Sequence, residues 1–101
     1  MKSYIKKKTL SLKGAKWTIQ KKKAYVRDYG RCLICGCPLR TEEAHPHHIK
    51  WKSNGGGDEL ENIATVGFAC HRAIHDLDVM IDGKRLSKKE TADLLRGRIH
   101  V

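Results

Sequence analysis

The 101-residue sequence has no uninterrupted apolar stretch approaching the roughly 20 residues of a membrane-spanning helix. Its lysine-rich beginning lacks the apolar core of a secretory leader, so a reducing, cytoplasmic setting is expected. It is too short for two domains. No internal repeat appears, and no low-complexity segment beyond short lysine runs. Acids are nearly missing from the first third: residues 1–31 hold eleven Lys or Arg and one acid, Asp28, while residues 32–101 hold ten of each. The net charge of +10 therefore resides at the front of the chain. A basic arm beside a neutral body fits a polyanionic partner, most simply nucleic acid, rather than a membrane or a small-molecule substrate. The plainer explanation of the arm is a solvated, solubilising tail.

What is present is chemistry-bearing. A small core often needs a metal or disulfide staple, and the chain has four cysteines: Cys32, Cys35, Cys37 and Cys70. Without an oxidising compartment these are expected to bind metal rather than pair as disulfides.

Residues 1–15 show no clear period and read as a flexible arm that orders on DNA, with a short strand at Tyr4 or Leu10–Leu12 as the alternative. Residues 16–29 read as a helix. Trp17, Ala24 and Tyr25 fall on one face with Ile19 and Val26 beside it, and Gly30 is the stop. Residues 32–39 form a tight turn around Gly36 and Pro38. A strand is expected near His47–Trp51 and a second over residues 62–68, separated by the glycine loop at 53–58. Residues 69–77 read as a helix that places Cys70, Ile74 and Leu77 on one face and His71 and His75 on another. Asp82-Gly83 marks a turn. Ser87 and Glu90 form a capping box, opening a final helix with Leu94, Leu95 and Ile99 inward.

Cys32-x-x-Cys35 has the spacing with which two thiolates of one turn bind one zinc ion. Cys70 is the natural third ligand, at a helix start whose dipole favours a thiolate. Cys37 is the simplest fourth, with His45 as the alternative. A buried, metal-free role for Cys37 or Cys70 is the bland reading. Five of the six histidines lie between positions 45 and 75. His71 and His75, one helical turn apart, can point at one ion, or else form a polar helix face.

The string His47-His48-Ile49, a glycine loop, Asn62-Ile63, then Cys70-His71-Arg72-Ala73-Ile74-His75 resembles the HNH endonuclease family and its ββα-metal motif. The likeness spans residues 32–75 and extends more weakly over 17–31. It implies a small α+β domain, treble-clef-like, over residues 16–85, with the arm (1–15) before it and the last helix (86–101) packed on it. By resemblance, His48 is the general base and Asn62 braces the loop that orients it. His47, His71 and His75 surround one catalytic divalent metal, and Cys32, Cys35, Cys37 and Cys70 hold a structural zinc. Zinc-containing members usually carry a cysteine where this chain has Gly67, so the usual four-cysteine set is incomplete and Cys37 is the compensating candidate.

The implied reaction is metal-dependent hydrolysis of DNA phosphodiester bonds, leaving 5′-phosphate and 3′-hydroxyl ends. An imidazole can accept a water proton near neutral pH, and a cation stabilises charge on the phosphate and the leaving oxygen. Histidine-rich ligation suits Mn, Ni, Co or Zn, and Mg less well. Lys6, Lys7, Lys8, Lys21, Lys22, Lys23, Lys50, Lys52 and Arg72 are candidate phosphate contacts. Trp17 is expected in the core, and Trp51 is open between packing and DNA contact. A bacteriophage or mobile-element nuclease in a bacterial cytoplasm fits best by resemblance. The rival readings are a non-catalytic zinc-containing nucleic-acid-binding module and a small metal-binding protein whose arm binds acidic partners.

Overall fold

The computed structural model describes residues 9–99. Three helices and two small antiparallel sheets make an α+β fold. Helix α1 covers Gly14–Arg27, strands β1 (His45–His48) and β2 (Ile63–Val66) pair as one hairpin, and helix α2 follows as Phe68–His75. A minimal hairpin of β3 (Met80–Ile81) and β4 (Lys84–Arg85) leads into helix α3, Lys88–Arg98. The three helices and the first two strands agree with the sequence reading, with boundaries shifted by one to three residues, while β3 and β4 flank a site read only as a turn.

β2 is buried along its whole length and divides the interior. Alternate strand residues face opposite ways. Ala64 and Val66 join Cys32, Ile34, Ile49, Ile74, Val79, Leu95 and Ile99 in the main core. The opposite face of β2 meets α1, where Thr65 N–H donates to the Asp28 carboxylate at 3.0 Å. That carboxylate also receives Arg27 Nε at 2.8 Å. The Arg27 guanidinium in turn donates to the carbonyls of Leu60 and Ile63. The one acid of the basic first third is thus buried, clamping the end of α1 onto β2.

α1 ends in left-handed backbone, with Tyr29 at φ 56° and Gly30 at φ 63°. The expected stop holds, and Gly30 lies close under the Tyr25 ring. Of the predicted apolar face, Ala24 is buried, whereas Ile19 and Val26 are exposed, Val26 by 71%. The core approaches α1 from the Ala24 side only, so the neighbouring stripe stays in water. Leu77 is also outside the core: it takes the left-handed conformation that ends α2 (φ 54°) and is exposed. Asp82 and Gly83 both have positive φ, as a two-residue hairpin turn requires.

The predicted capping box is present. Ser87 Oγ accepts from Glu90 N–H at 3.1 Å and Glu90 Oε1 from Ser87 N–H at 2.9 Å. Leu95 of α3 and Ile99 just after it enter the core, while Leu94 is half-buried. Arg98 ties the end of α3 to the cysteine turn through the carbonyls of Leu33 and Ile34.

Residues 1–8, and with them Lys6, Lys7 and Lys8, lie outside the described residues. The remainder of the expected arm departs from that expectation. Helix α1 already starts at Gly14. The segment before it forms no strand, yet it is held. Leu10 N–H donates to Glu59 at 3.2 Å, Leu12 N–H donates to Asp58 Oδ2 at 2.8 Å, and Asp58 N–H donates back to Leu10 C=O at 2.8 Å. No local periodicity marks it because its partners lie more than forty residues away.

Asp28→Ala leaves the Arg27 charge buried without its carboxylate and is expected to cost about 3 kcal/mol in a denaturant titration. The Ser87 N–H and Lys84 hold the Glu90 carboxyl down at about 2. A depressed folded-state pKa stabilises the fold above the ordinary glutamate range and loses that contribution as pH falls toward 2. Thermal melts of wild type and Glu90→Gln should therefore differ at neutral pH and converge as acid is added.

Candidate metal and catalytic site

The register of the first hairpin places His47 opposite Ala64 and His48 opposite Ile63. Cross-strand partners share a face, so the two adjacent histidines point to opposite sides of the sheet. His47 joins the α2 side and is buried. There it meets His71 and His75, which lie one turn apart on α2 with their rings edge to face. Ring centroids are 5.6 Å apart for His47–His71, 6.0 Å for His47–His75 and 4.7 Å for His71–His75.

One ligand nitrogen from each of the three lies within 4.8 Å of the others, and the Nε2 atoms of His71 and His75 are 3.2 Å apart. Nitrogens around one tetrahedral cation at ordinary bond lengths sit about 3.4 Å apart, so a small inward adjustment of the rings suffices. Burial, reinforced by the neighbouring imidazoles, holds the His47 pKa at about 4, and the same causes lower that of His71. Neutral imidazole is the ligating form, so the donor set suits a divalent cation.

His48 turns the other way, stacking on Trp17 of α1 (5.7 Å, interplanar 15°). Its Nε2 lies 2.7 Å from Asp58 Oδ1. Burial by itself would raise the pKa of Asp58. The Leu12 N–H, the His48 ring and the Lys52 ammonium outweigh that and bring it below its ordinary value. Asp58 is therefore an acceptor at neutral pH, Nε2 carries the hydrogen, and in neutral His48 the acceptor lone pair sits on Nδ1. His48 and the three clustered histidines line one open cleft of about 320 Å³ with Pro46, Trp51 and Lys52. Because β1 pairs only with β2 among the described residues, the cleft can wrap its free edge and receive side chains from both faces.

Asn62 sits behind the loop that joins β1 to β2. Its Oδ1 accepts from Lys50 N–H at 2.8 Å, and its Nδ2 donates to the carbonyls of Lys50 at 3.1 Å and Gly57 at 2.8 Å. One amide thus fixes the chain just after His48 and just before Asp58. Gly56 is required by close approach: a Cβ there would lie 1.8 Å from the Lys50 carbonyl oxygen.

The cysteines gather less completely. Cys32, Cys35 and Cys70 bring their sulfurs within 4.8 Å of one another and could hold zinc. Cys37 lies outside that trio and is exposed, although it contacts Cys35. His45, the alternative fourth ligand, stacks instead on His71 at 5.5 Å. Burial, then the neighbouring Cys32 and Cys35, push the Cys70 thiol up to about 12. A bound cation would reverse that by favouring thiolate.

The candidate phosphate contacts are scattered. Lys52 sits in the histidine cleft but is paired with Asp58 at 3.3 Å. Arg72 is exposed, with Asp76 4.0 Å away. Lys21 lies 5.8 Å over the Trp17 ring. Lys21 and Lys22 border a separate groove beside His45 and Pro46, and Lys23 is exposed. Trp17 is half-buried against His48, and Trp51 packs against His75 at 5.2 Å.

The site residue that sequence reading misses is Asp58. It stands at the end of a Ser-Asn-Gly-Gly-Gly run whose composition signals only a loop. The available signal is an acid between His48 and Asn62, in a glycine stretch that lets backbone approach closely.

Residues 32–77 match the family model described as HNH endonuclease. No curated protein and no solved structure matches the chain.

Cys32→Ser is expected to lose zinc on elemental analysis and to melt at a lower temperature. Cys37→Ser should keep both the ion and the melting temperature, because its sulfur stands outside the trio.

Proposed function

We propose, from the premise that residues 32–77 form an HNH endonuclease domain, that this protein hydrolyses DNA phosphodiester bonds at the cleft shared by His47, His48, His71 and His75. HNH domains are typically nucleases that use divalent metals, and their substrate is nucleic acid. The observation that carries the specific assignment is the division of labour on β1. One histidine joins two from α2 within 4.8 Å, and its neighbour is held apart by Asp58 at 2.7 Å in the same cleft.

His47, His71 and His75 would hold the catalytic ion. When bound, a divalent cation supplies charge stabilisation to the phosphoryl group and to the departing 3′-oxygen. His48 accepts a proton from the attacking water at Nδ1. Asp58 keeps the hydrogen on Nε2 and stabilises the imidazolium that results, much as a carboxylate orients a catalytic histidine in other hydrolases. Trp17 backs the ring against rotation. Asn62 has no useful acid–base chemistry. Its three hydrogen bonds keep the loop from moving His48 and Asp58 apart. The Cys32, Cys35 and Cys70 trio would hold a structural zinc that secures the turn on which β2 and α3 converge, through Leu33 N–H to Thr65 C=O and through Arg98.

The exposed lysines of α1 support affinity for a polyanion through counterion release, which weakens as salt rises. His48→Ala should lower metal-dependent nicking of supercoiled plasmid at least a hundredfold, the lower end of a general base's contribution, while metal binding by the histidine trio persists. EDTA should abolish wild-type cleavage. Undiminished nicking by the mutant would refute the assignment of His48. Absence of nicking by wild type under every divalent metal would refute the enzyme.

A further inference from the structure

Helix α3 opens against a local electrostatic rule. Lys88 and Lys89 occupy its first two positions, where the helix dipole disfavours cations. The acid of that turn, Glu90, is already engaged by Ser87 and Lys84. Neither lysine is paired with a carboxylate among the described residues. Lys88 instead reaches over Trp51, its Nζ 4.0 Å from the ring centroid.

Between α3 and the segment that follows β1 lies a cavity of about 230 Å³. Lys50, Lys88, Lys89 and Arg96 line it, with His47 and Ile74, and no carboxylate does. Arg96 has an exposed partner in Asp93 at 3.6 Å, outside the lining. Four like charges around one recess repel one another, and an anion placed among them removes the repulsion. His47 and Trp51 line both this cavity and the histidine cleft, so the two adjoin. Trp51 stands at their junction, against His75 on one side and Lys88 on the other.

We infer that this cavity is a second phosphate site, which seats a backbone phosphate of the DNA strand next to the one being cut. The inference rests on the nuclease reading for the identity of its ligand, but not for its test. The site uses α3, which lies beyond the matched segment of residues 32–77. A strand gripped at both the histidine cleft and this cavity cannot slide or rotate between them, which is how a small domain can position its substrate.

The test is binding of a short labelled duplex over a series of salt concentrations, with no divalent metal added and no chelator, so that a structural ion stays in place. Every phosphate that the protein ceases to neutralise should reduce the slope of log affinity against log salt by about 0.9. Lys88→Gln/Lys89→Gln is expected to lower the slope by about 0.9 to 1.8, as one or two phosphates regain their counterions, and to weaken binding several-fold at moderate salt. Lys88→Arg/Lys89→Arg, which keeps the charge, should retain the wild-type slope. Arg85→Gln, which removes one charge from the β3–β4 hairpin, should also stay close to wild type. Should the double Gln variant fail to fold in a thermal melt, Lys89→Gln alone gives the same comparison and leaves Lys88 on Trp51.

A Gln-pair slope no different from that of Arg85→Gln overturns the phosphate site, whether or not wild type cuts plasmid. A reduced slope in a protein that nicks no DNA upholds the phosphate site and overturns the nuclease reading.

Discussion

The pairing of β1 with β2 is the constraint on which the site depends. Its register sets His47 opposite Ala64 and His48 opposite Ile63. With a side-chain period of two, one imidazole goes to the helix α2 side and the next to α1. A slip of one residue would exchange them. The register is guarded from one face and one edge of β2: Ala64 and Val66 are locked in the core, and the Thr65 N–H is held by Asp28. The buried Arg27–Asp28 pair is thus more than a helix anchor. It helps hold the strand that sends His47 and His48 to opposite faces.

A second constraint runs through Asp58, which is fully buried and bonded on every side. Its carboxylate receives His48 and Lys52 from the cleft and the Leu12 N–H from the segment before α1. Its backbone carbonyl accepts from Gln20 of α1 at 2.8 Å. The basic front of the chain is therefore tied to the residue that orients His48. Asn62 closes the same loop from the other side, so the glycine-rich stretch between Lys50 and Asp58 is a held structure.

The fold's economy follows from its size. A chain this short has a modest core, and α2, the helix that supplies two histidines, spans eight residues. Such a helix is marginal alone. Here it is framed by Cys70 of the sulfur trio toward one end, Ile74 in the core, and α3 packed across the same core through Leu95, with Ile99 just beyond the helix. The cysteine trio and the histidine trio share α2, so a structural ion at one would steady the ligands of the other.

Much of the molecule is legible in the sequence wherever the information is local. The i, i+4 spacing of His71 and His75, the Ser87 box, the Asp82-Gly83 turn and the Cys32-x-x-Cys35 spacing each specify geometry within a few residues of chain, and each is found in the structure. The adjacent histidines fall in a strand, as expected, and its period of two sends them to opposite faces. What only the tertiary structure decided is which distant groups those residues meet. Asp58 reaches His48 across a glycine loop, Asp28 caps β2 from α1, Leu10 and Leu12 dock on residues far down the chain, and Cys37 falls outside the sulfur trio while Cys70 enters it. The physical reason is the same in each case. Helix and strand periods follow from backbone dihedrals shared by neighbours, whereas a hydrogen bond across forty residues depends on how loops are routed, and no spacing in the sequence encodes that path.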